Sequence, residues 1–487
     1  MKKILIYLCI LLTGIGWSCS DWLDVKPSDR ISEENAFSSV AGFKNALNGI
    51  YVELNKDNLY GRRLTVDFVE ILAKRYYVNS ENDWAYDLMN YEYGGSTVKG
   101  YLQGIWGTAY KLIANTNLLI KNCDENREVL PNDYYGVCKG EALALRAMLH
   151  FDLFRLFGPV YSVDSLALSI PYYKEFSLEV APQLSGTSFM DNVILDLTDA
   201  ADLLREYDPI LTSGIQGAFD DYFLQNRNLR LNYYAVQGLL ARAYLYKGDN
   251  ENALIHAKNV IEAHENLFPW VDPLDISASH PSPDRIFSSE VMFALHNTQR
   301  SSIYTSLFNA KQLELNTLLA PTNWGVSEPF SGHESLRTDV SSYRSDYRYI
   351  SNFNSSVELN GTQYMLFHKY EQSNDSLYNQ MIPMVRMSEM YLIAAETEPD
   401  PTVGGGYLNT LRNHRGLSSV SAIYFQYGYL PYLVDAEYTK EFCGEGQLFF
   451  YYKRKNQTRI WDGDGYKKSV STSNYVLPIP DEELKYN

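Results

Sequence analysis

The hydrophobic positions of this chain recur mainly at helical spacing. From Ser188 to Leu204, Phe189, Val193, Leu197, Ala200 and Leu204 share one face, while Asp191, Asp196, Asp199 and Asp202 lie elsewhere on the surface. Ser188 with Asp191 predicts a capping box at the start of that helix. A longer apolar helix is predicted from Glu141 to Phe157. Gly158-Pro159 ends it, since glycine suits a left-handed cap and proline cannot continue a helix. The stretch from Tyr233 to Ala263 is more specific. Small Ala241, bulky Tyr244, the turn Lys247-Gly248-Asp249, then small Ala253 and Ala257 have the spacing of a tetratricopeptide (TPR) helix pair. Small residues let two helices approach closely, and Tyr244 fills the remaining gap. Leu102–Asn117 with Glu141–Phe157, and Met387–Glu396 with Tyr407–His414, read as degenerate pairs of the same kind. One clear match implies helix pairs inside a globular body rather than an open solenoid.

The periodicity fades twice. Between roughly 265 and 380, Pro, Ser, Asn, Gly and Tyr rise, and a second irregular stretch runs from Asn79 to Gly100. Long irregular segments are where binding groups concentrate. The fold class predicted is therefore all-α, with TPR-type helix pairs, long irregular binding loops and little β structure.

The N-terminus reads as an address. Met1-Lys2-Lys3 is a basic start, Ile4 to Ile15 is almost unbroken apolar chain, and Gly16-Trp17-Ser18-Cys19 follows. This is a secretory signal, too short for a stable membrane span. Cys19 after Ser18 fits a bacterial lipoprotein whose thiol is acylated, although Gly16 and Trp17 depart from the usual residues there. The other reading is ordinary cleavage with Cys19 a bystander. More than one acyl chain on Cys19 would give stable anchoring.

Composition narrows the function. The chain has 487 residues and a net charge of −17, which excludes a general nucleic-acid binder, because phosphate contacts need clustered Lys and Arg. The 40 tyrosines suit both wet helix packing and surfaces that grip amphipathic ligands. Cys123, Cys138 and Cys443 remain after the signal. A Cys123–Cys138 bridge and buried thiols are both compatible with the sequence. No Cys-x-x-Cys or His-Glu-x-x-His spacing supports a metal site, and no nucleophile elbow or Walker loop is present. No metal, cofactor or catalytic residue is assigned.

Taken in order, the motifs resemble the SusD/RagB family of Bacteroidetes outer-membrane nutrient-binding lipoproteins. The resemblance is carried by Cys19-Ser20-Asp21-Trp22-Leu23-Asp24, by Leu145-Arg146-Ala147 leading to Leu156-Phe157-Gly158-Pro159, and by Leu240-Ala241-Arg242-Ala243-Tyr244-Leu245. Ile382-Pro383 through Ala395-Glu396, Leu411-Arg412 with Arg415-Gly416, Glu441-Phe442-Cys443-Gly444-Glu445-Gly446 and Leu477-Pro478-Ile479-Pro480 continue it. Two departures stand out. Pro399, Pro401 and Gly404-Gly405-Gly406 interrupt the helix that the family continues after Glu396, and the run Leu448 to Tyr452 is unusually aromatic. The resemblance implies a signal peptide over 1–18 and a single body over 19–487. That body comprises an N-terminal part (19–230), the TPR-like pair (231–264) and a C-terminal part (265–487). It implies a non-enzymatic surface lipoprotein that binds oligosaccharide and acts as the lid of a SusC-like TonB-dependent barrel. The outer membrane would be reached through the Cys19 lipid. A peptide-binding RagB-like lid is the alternative.

A sugar ring offers an apolar face to an aromatic plane and a hydroxyl edge to polar side chains. Trp84 with Asn82, Asp83 and Tyr86, and Trp324 with Asn323, are the candidate binding groups, with Trp270 a further one. For Trp84 and Trp324, core packing and ligand stacking are both open. Trp106 lies at helical spacing with Tyr110 and Asn117 and is expected in the core. Arg386 and Glu389, three apart, are expected to pair. Asp346-Tyr347-Arg348 reads as an ion-pair turn. Glu441 and Glu445 could share a helix face, but spacing alone does not make a glycosidase pair.

Overall fold

The computed structural model describes residues 33–177, 179–217, 221–277, 280–309, 314–331, 343–372 and 377–485. The signal segment and Cys19 lie outside the described residues.

The helices that build the body are α1 (Val40–Leu54), α2 (Asp83–Met89), α3 (Ser96–Glu125), α4 (Asn132–Phe157), α5 (Gly186–Tyr207), α6 (Tyr233–Lys247), α7 (Asn250–Leu267), α8 (Asn323–Ser331), α9 (Met387–Thr397), α10 (Pro401–Asn413), α11 (Leu430–Glu441) and α12 (Leu448–Lys455). From α3 to α7, each packs on the next in chain order; α7 then packs on α9, and α9 on α10. The strands form two-stranded antiparallel pairs: β1 (Leu168–Pro171) with β2 (Gln183–Ser185), β3 (Val291–His296) with β6 (Met381–Arg386), β4 (Ser356–Leu359) with β5 (Thr362–Met365), and β7 (Arg459–Trp461) with β8 (Lys467–Ser469). The all-α reading is borne out, strands being short and peripheral except for the buried β3–β6 ribbon.

The TPR-type pair forms where its spacing placed it. Asn232 caps α6, its side chain accepting from the Ala235 N–H at 3.0 Å. Gly248 turns the chain at φ +86°, a conformation glycine adopts without strain. Ala241, Ala253 and Ala257 are fully buried, and Tyr244 stacks on His256 at 5.4 Å. Both degenerate pairs also pack as helix pairs.

Several local expectations need correction. The cap of α5 is Ser185, which accepts from the Ser188 N–H, so the helix starts before Ser188. Gly158 is extended (φ −74°, ψ 167°) rather than left-handed. Its small size matters because a Cβ there would sit 2.7 Å from the Phe154 carbonyl oxygen. Gly404-Gly405-Gly406 do not interrupt a helix. Asp400 caps α10, Pro401 opens it, and the glycines lie within it, Gly404 tight against Leu430 and Gly405 against Phe425. Cys123, Cys138 and Cys443 are free buried thiols.

Arg386 does not pair with Glu389. Glu389 takes Arg242 instead, and Arg386 enters a buried ionic cluster. Glu441 accepts from Arg348 (2.9 Å), Arg386 (2.7 Å) and Arg415 (2.7 and 3.0 Å). Arg348 also holds Asp346 and Glu437, Arg415 holds Glu290, and Glu437 takes Arg412 and Lys440. Glu445 bridges Arg386 and Lys369. The ion-pair turn at Asp346–Arg348 is therefore borne out, as part of something larger. The surrounding guanidinium groups hold the Glu441 carboxyl well below its ordinary value despite its burial.

His150, on α4, is buried with its ring stacked on Tyr172 at 3.8 Å. Its Nδ1 donates to the Arg146 carbonyl and its Nε2 accepts from the Tyr173 N–H, both at 3.0 Å. Burial pushes its pKa down from 6.5 to about 3. As pH falls, the unfolded chain takes the proton first. This contribution to stability is therefore fully present above about pH 6.5 and is lost between there and about pH 3. The expected loss inside that window is roughly 1 kcal/mol per pH unit. Denaturant unfolding at pH 7, 6 and 5 measures it. His150→Gln, which can keep both hydrogen bonds without titrating, should flatten most of the slope. Half-buried His256, also held low by burial, leaves a remainder of the same sign. A slope unaltered by the substitution would assign the effect elsewhere.

Candidate functional site

The hairpin β7–β8 organises a broad aromatic cleft. Trp461 pairs with Lys467 across it, and the turn Asp462-Gly463-Asp464-Gly465-Tyr466 closes with the Asp462 N–H donating to the Tyr466 carbonyl at 2.8 Å. The turn packs on the start of α8. The Thr322 N–H donates to the Gly463 carbonyl at 2.8 Å, and the Thr322 hydroxyl accepts from the Gly325 N–H. A Cβ on Gly325 would lie 1.9 Å from the Gly463 oxygen, and one on Gly465 would lie 2.8 Å from Trp324. Glycine at both positions lets the backbones touch, which seats Trp324 beside the hairpin.

The cleft has a volume of about 780 Å³. Trp324 is 59% exposed, Tyr466 64% and Tyr432 53%, so three large rings stand open at one place, with half-buried Trp461 among them. Tyr432 comes from α11, and Tyr452 and Lys455 come from α12. Asn456, Gln457, Thr458 and Arg459 supply polar edges. Asp435 accepts from the Tyr451 hydroxyl, and its burial pushes its pKa up. Rings for the apolar faces of a sugar and amide, hydroxyl and guanidinium groups for its hydroxyls are thus present together.

A second, polar pocket of about 730 Å³ lies across the hairpin, lined by Lys74, Tyr77, Asn79, Tyr86, Asp462 and Lys468 among others. There Lys468 pairs with Asp464 at 2.7 Å.

The predicted binding groups are thus dispersed. Trp324 stands in the aromatic cleft, in the first turn of α8 rather than in a loop, with half-buried Asn323 beside it. Tyr86, 40% exposed, lines the polar pocket. Trp84 lies in helix α2 and is half-buried, its ring edge-on to Tyr101 at 5.2 Å with the Arg63 guanidinium 5.4 Å above it. Asn82 is buried at the start of α2, and Asp83 is exposed. Trp270 stacks on His414 at 4.8 Å and packs against Tyr391, so its faces are taken. Trp106 is in the core against Phe157, as its spacing implied. Sequence reasoning missed Trp461, Tyr466 and Tyr432. Two Asp-Gly steps between Trp461 and Tyr466 were the available signal, because Asp-Gly between β-prone residues marks a hairpin.

A family model described as SusD-like, starch-binding and associating with the outer membrane matches residues 21–211. Over those residues the chain is similar to the SusD-like family. The SusD-like protein P38 of Formosa agariphila is 26% identical over 451 residues, covering 85% of this chain and 82% of that one. A SusD superfamily protein from Bacteroides thetaiotaomicron has the same fold, with a TM-score of 0.71 and 22% identity over 92% of this chain and 98% of its own. Surface glycan-binding protein A of the same organism, solved in complex with laminarihexaose, is similar at a TM-score of 0.61 and 17% identity, covering 92% and 97% of the two chains. Among the described residues, no helix is long and apolar enough to cross a membrane.

The packing of the two tryptophans predicts unequal stability effects. Trp84→Ala removes a ring held by Tyr101 and Arg63 and should cost about 2 kcal/mol. Trp324→Ala, at an exposed ring, should stay within about 0.5 kcal/mol of the parent. Denaturant melts of both variants check this, and equal losses would mean that Trp324 is a packing residue.

Proposed function

We propose that this SusD-like protein captures oligosaccharides at the cell surface and passes them to a SusC-like TonB-dependent transporter in the outer membrane. It does so as one body over 19–487, tethered by acylated Cys19 and facing outward. The carrying observation is the aromatic cleft. Large exposed rings are expensive to leave in water and cluster where they meet a partner. Trp324, Tyr466, Tyr432 and Trp461 meet between polar side chains, which is the chemistry a sugar chain requires. The family's description as starch-binding, and the laminarihexaose bound by a protein of similar fold, support the same substrate class. The reading is one of binding, not turnover. Glu441 and Glu445, the carboxylate pair conspicuous in the sequence, are consumed by buried guanidinium groups.

A ring stacked on a sugar is worth about 1–2 kcal/mol by the area it buries. Trp324→Ala should therefore raise the dissociation constant for the bound oligosaccharide roughly five- to thirty-fold, read by titration calorimetry. Unchanged affinity would remove the cleft from the site.

The tether has its own test. Cys19→Ala should release the protein from the outer-membrane fraction in cells lacking the partner transporter, since the acyl chains would be its membrane affinity. Retention of the variant in that fraction would contradict a lipid anchor.

A further inference from the structure

The pairing register of the hairpin puts Arg459, Trp461 and Lys467 on one face. Trp461 lies directly opposite Lys467, and Arg459 is two residues from Trp461 along the same strand. That face lines the aromatic cleft. The Lys467 ammonium sits 4.9 Å above the Trp461 ring. Among the described residues, neither Arg459 nor Lys467 has a carboxylate within ion-pair distance, and both are exposed.

Acidic side chains outnumber basic ones, 59 to 42. Lys455 and Arg454, at the end of α12, share Glu396, and Lys468, on the opposite face of the hairpin, takes Asp464. Of the acids lining the cleft, Asp435 is held by the Tyr451 hydroxyl, leaving Glu328 on the α8 wall. Two cations without an ion-pair partner therefore share one hairpin face with Trp461. A neutral sugar needs no such charge. A carboxylate or sulfate on a sugar in the cleft would meet a planar guanidinium donor and an ammonium on the same hairpin face.

Resting on the reading of this cleft as the glycan site, we propose that its preferred ligands are anionic glycans, with Arg459 and Lys467 as the residues that select the negative group. Carboxylated and sulfated sugars share this chemistry, and separate probes distinguish them.

The experiment uses the mature protein and four probes in titration calorimetry: an oligogalacturonate hexamer for carboxylate, a sulfated carrageenan oligosaccharide for sulfate ester, and laminarihexaose and maltohexaose as neutral chains. At least one anionic probe should bind tenfold or more tightly than both neutral ones, with an affinity that falls as salt rises. In Arg459→Gln/Lys467→Gln that preference should collapse at least tenfold, as expected for losing charge-assisted bonds, and Arg459→Lys should restore part of it. Whichever anionic probe responds identifies the acidic group. Neutral chains binding as tightly as anionic ones, anionic binding indifferent to the double substitution, or no binding of either anionic probe would overturn the proposal. Trp324 separates this from the underlying reading. If Trp324→Ala weakens neutral binding while the cation substitutions alter nothing, the cleft is a glycan site without charge selection. If Trp324→Ala leaves every affinity unchanged, the cleft itself is misassigned.

Discussion

Glu441 receives three guanidinium groups delivered by three separate stretches of chain: Arg348 from the short helix Tyr347–Asn352, Arg386 from the end of β6, and Arg415 from beyond α10. All are buried. Taking that many charges out of water is costly, and the cost is offset only if every partner arrives. Removal of one would leave a buried charge uncompensated, typically at about 3–5 kcal/mol. The cluster therefore works as a condition on the fold: these segments are native together or not at all. It also fixes the site. On α11, Glu437, Lys440 and Glu441 turn inward to the cluster, whereas Tyr432, Asp435, Ala436 and Thr439 face the cleft. The wall that presents Tyr432 is thus clamped from behind by ionic bonds whose residues do not line the cleft.

The opposite wall depends on backbone proximity. Gly325, Gly463 and Gly465 allow the start of α8 and the hairpin turn to touch, and the Ala320–Tyr77 bridge ties the same region to the segment before α2. The hairpin then divides two pockets of different character. Its ring-bearing face looks into the aromatic cleft, and its acidic turn looks into the polar pocket that holds Tyr86. On the proposed reading a rigid partition matters, because a stacked sugar gains little from a ring that must first be ordered.

The scaffold was legible because its signals are local. Helical periodicity, the Ala241–Ala253–Ala257 spacing and the Gly248 turn specify contacts within a few turns of each other, and each forms as read. The buried cluster was hidden because its partners are as far apart as Glu290 and Arg415, and an acid-rich sequence contains too many candidate pairs to choose among. Arg386 shows the failure clearly. Three-residue spacing pointed to Glu389, but Arg386 closes a strand, so helical spacing does not apply to it. The aromatic groups divide similarly. Trp106 is fixed by helix spacing and was readable as core. Trp84 and Trp324 both sit among polar residues in sequence, and only the tertiary neighbours Tyr101 and Arg63 turn one of them into packing.

The tyrosine excess has the same double origin, and the hydroxyl explains why composition could not separate the two uses. Tyr51 donates to Glu141, Tyr60 to Asp152 and Tyr172 to Asp196, each at 2.6–2.7 Å and each buried. A phenol fills helix–helix space as phenylalanine would while giving a buried carboxylate a donor, so part of the acidic excess is taken up inside the protein. These acids also hold arginines: Glu141 takes Arg227 and Arg230, Asp152 takes Arg155, and Asp196 takes Arg146. Tyrosine thus completes ionic clusters between helices, as the arginines around Glu441 complete another. The same side chain at the cleft, where Tyr432 and Tyr466 are more than half exposed, offers its face to solvent. Count and composition are blind to that difference. It arises from whether a neighbouring element covers the ring, and among the described residues Tyr432 and Tyr466 are left more than half exposed.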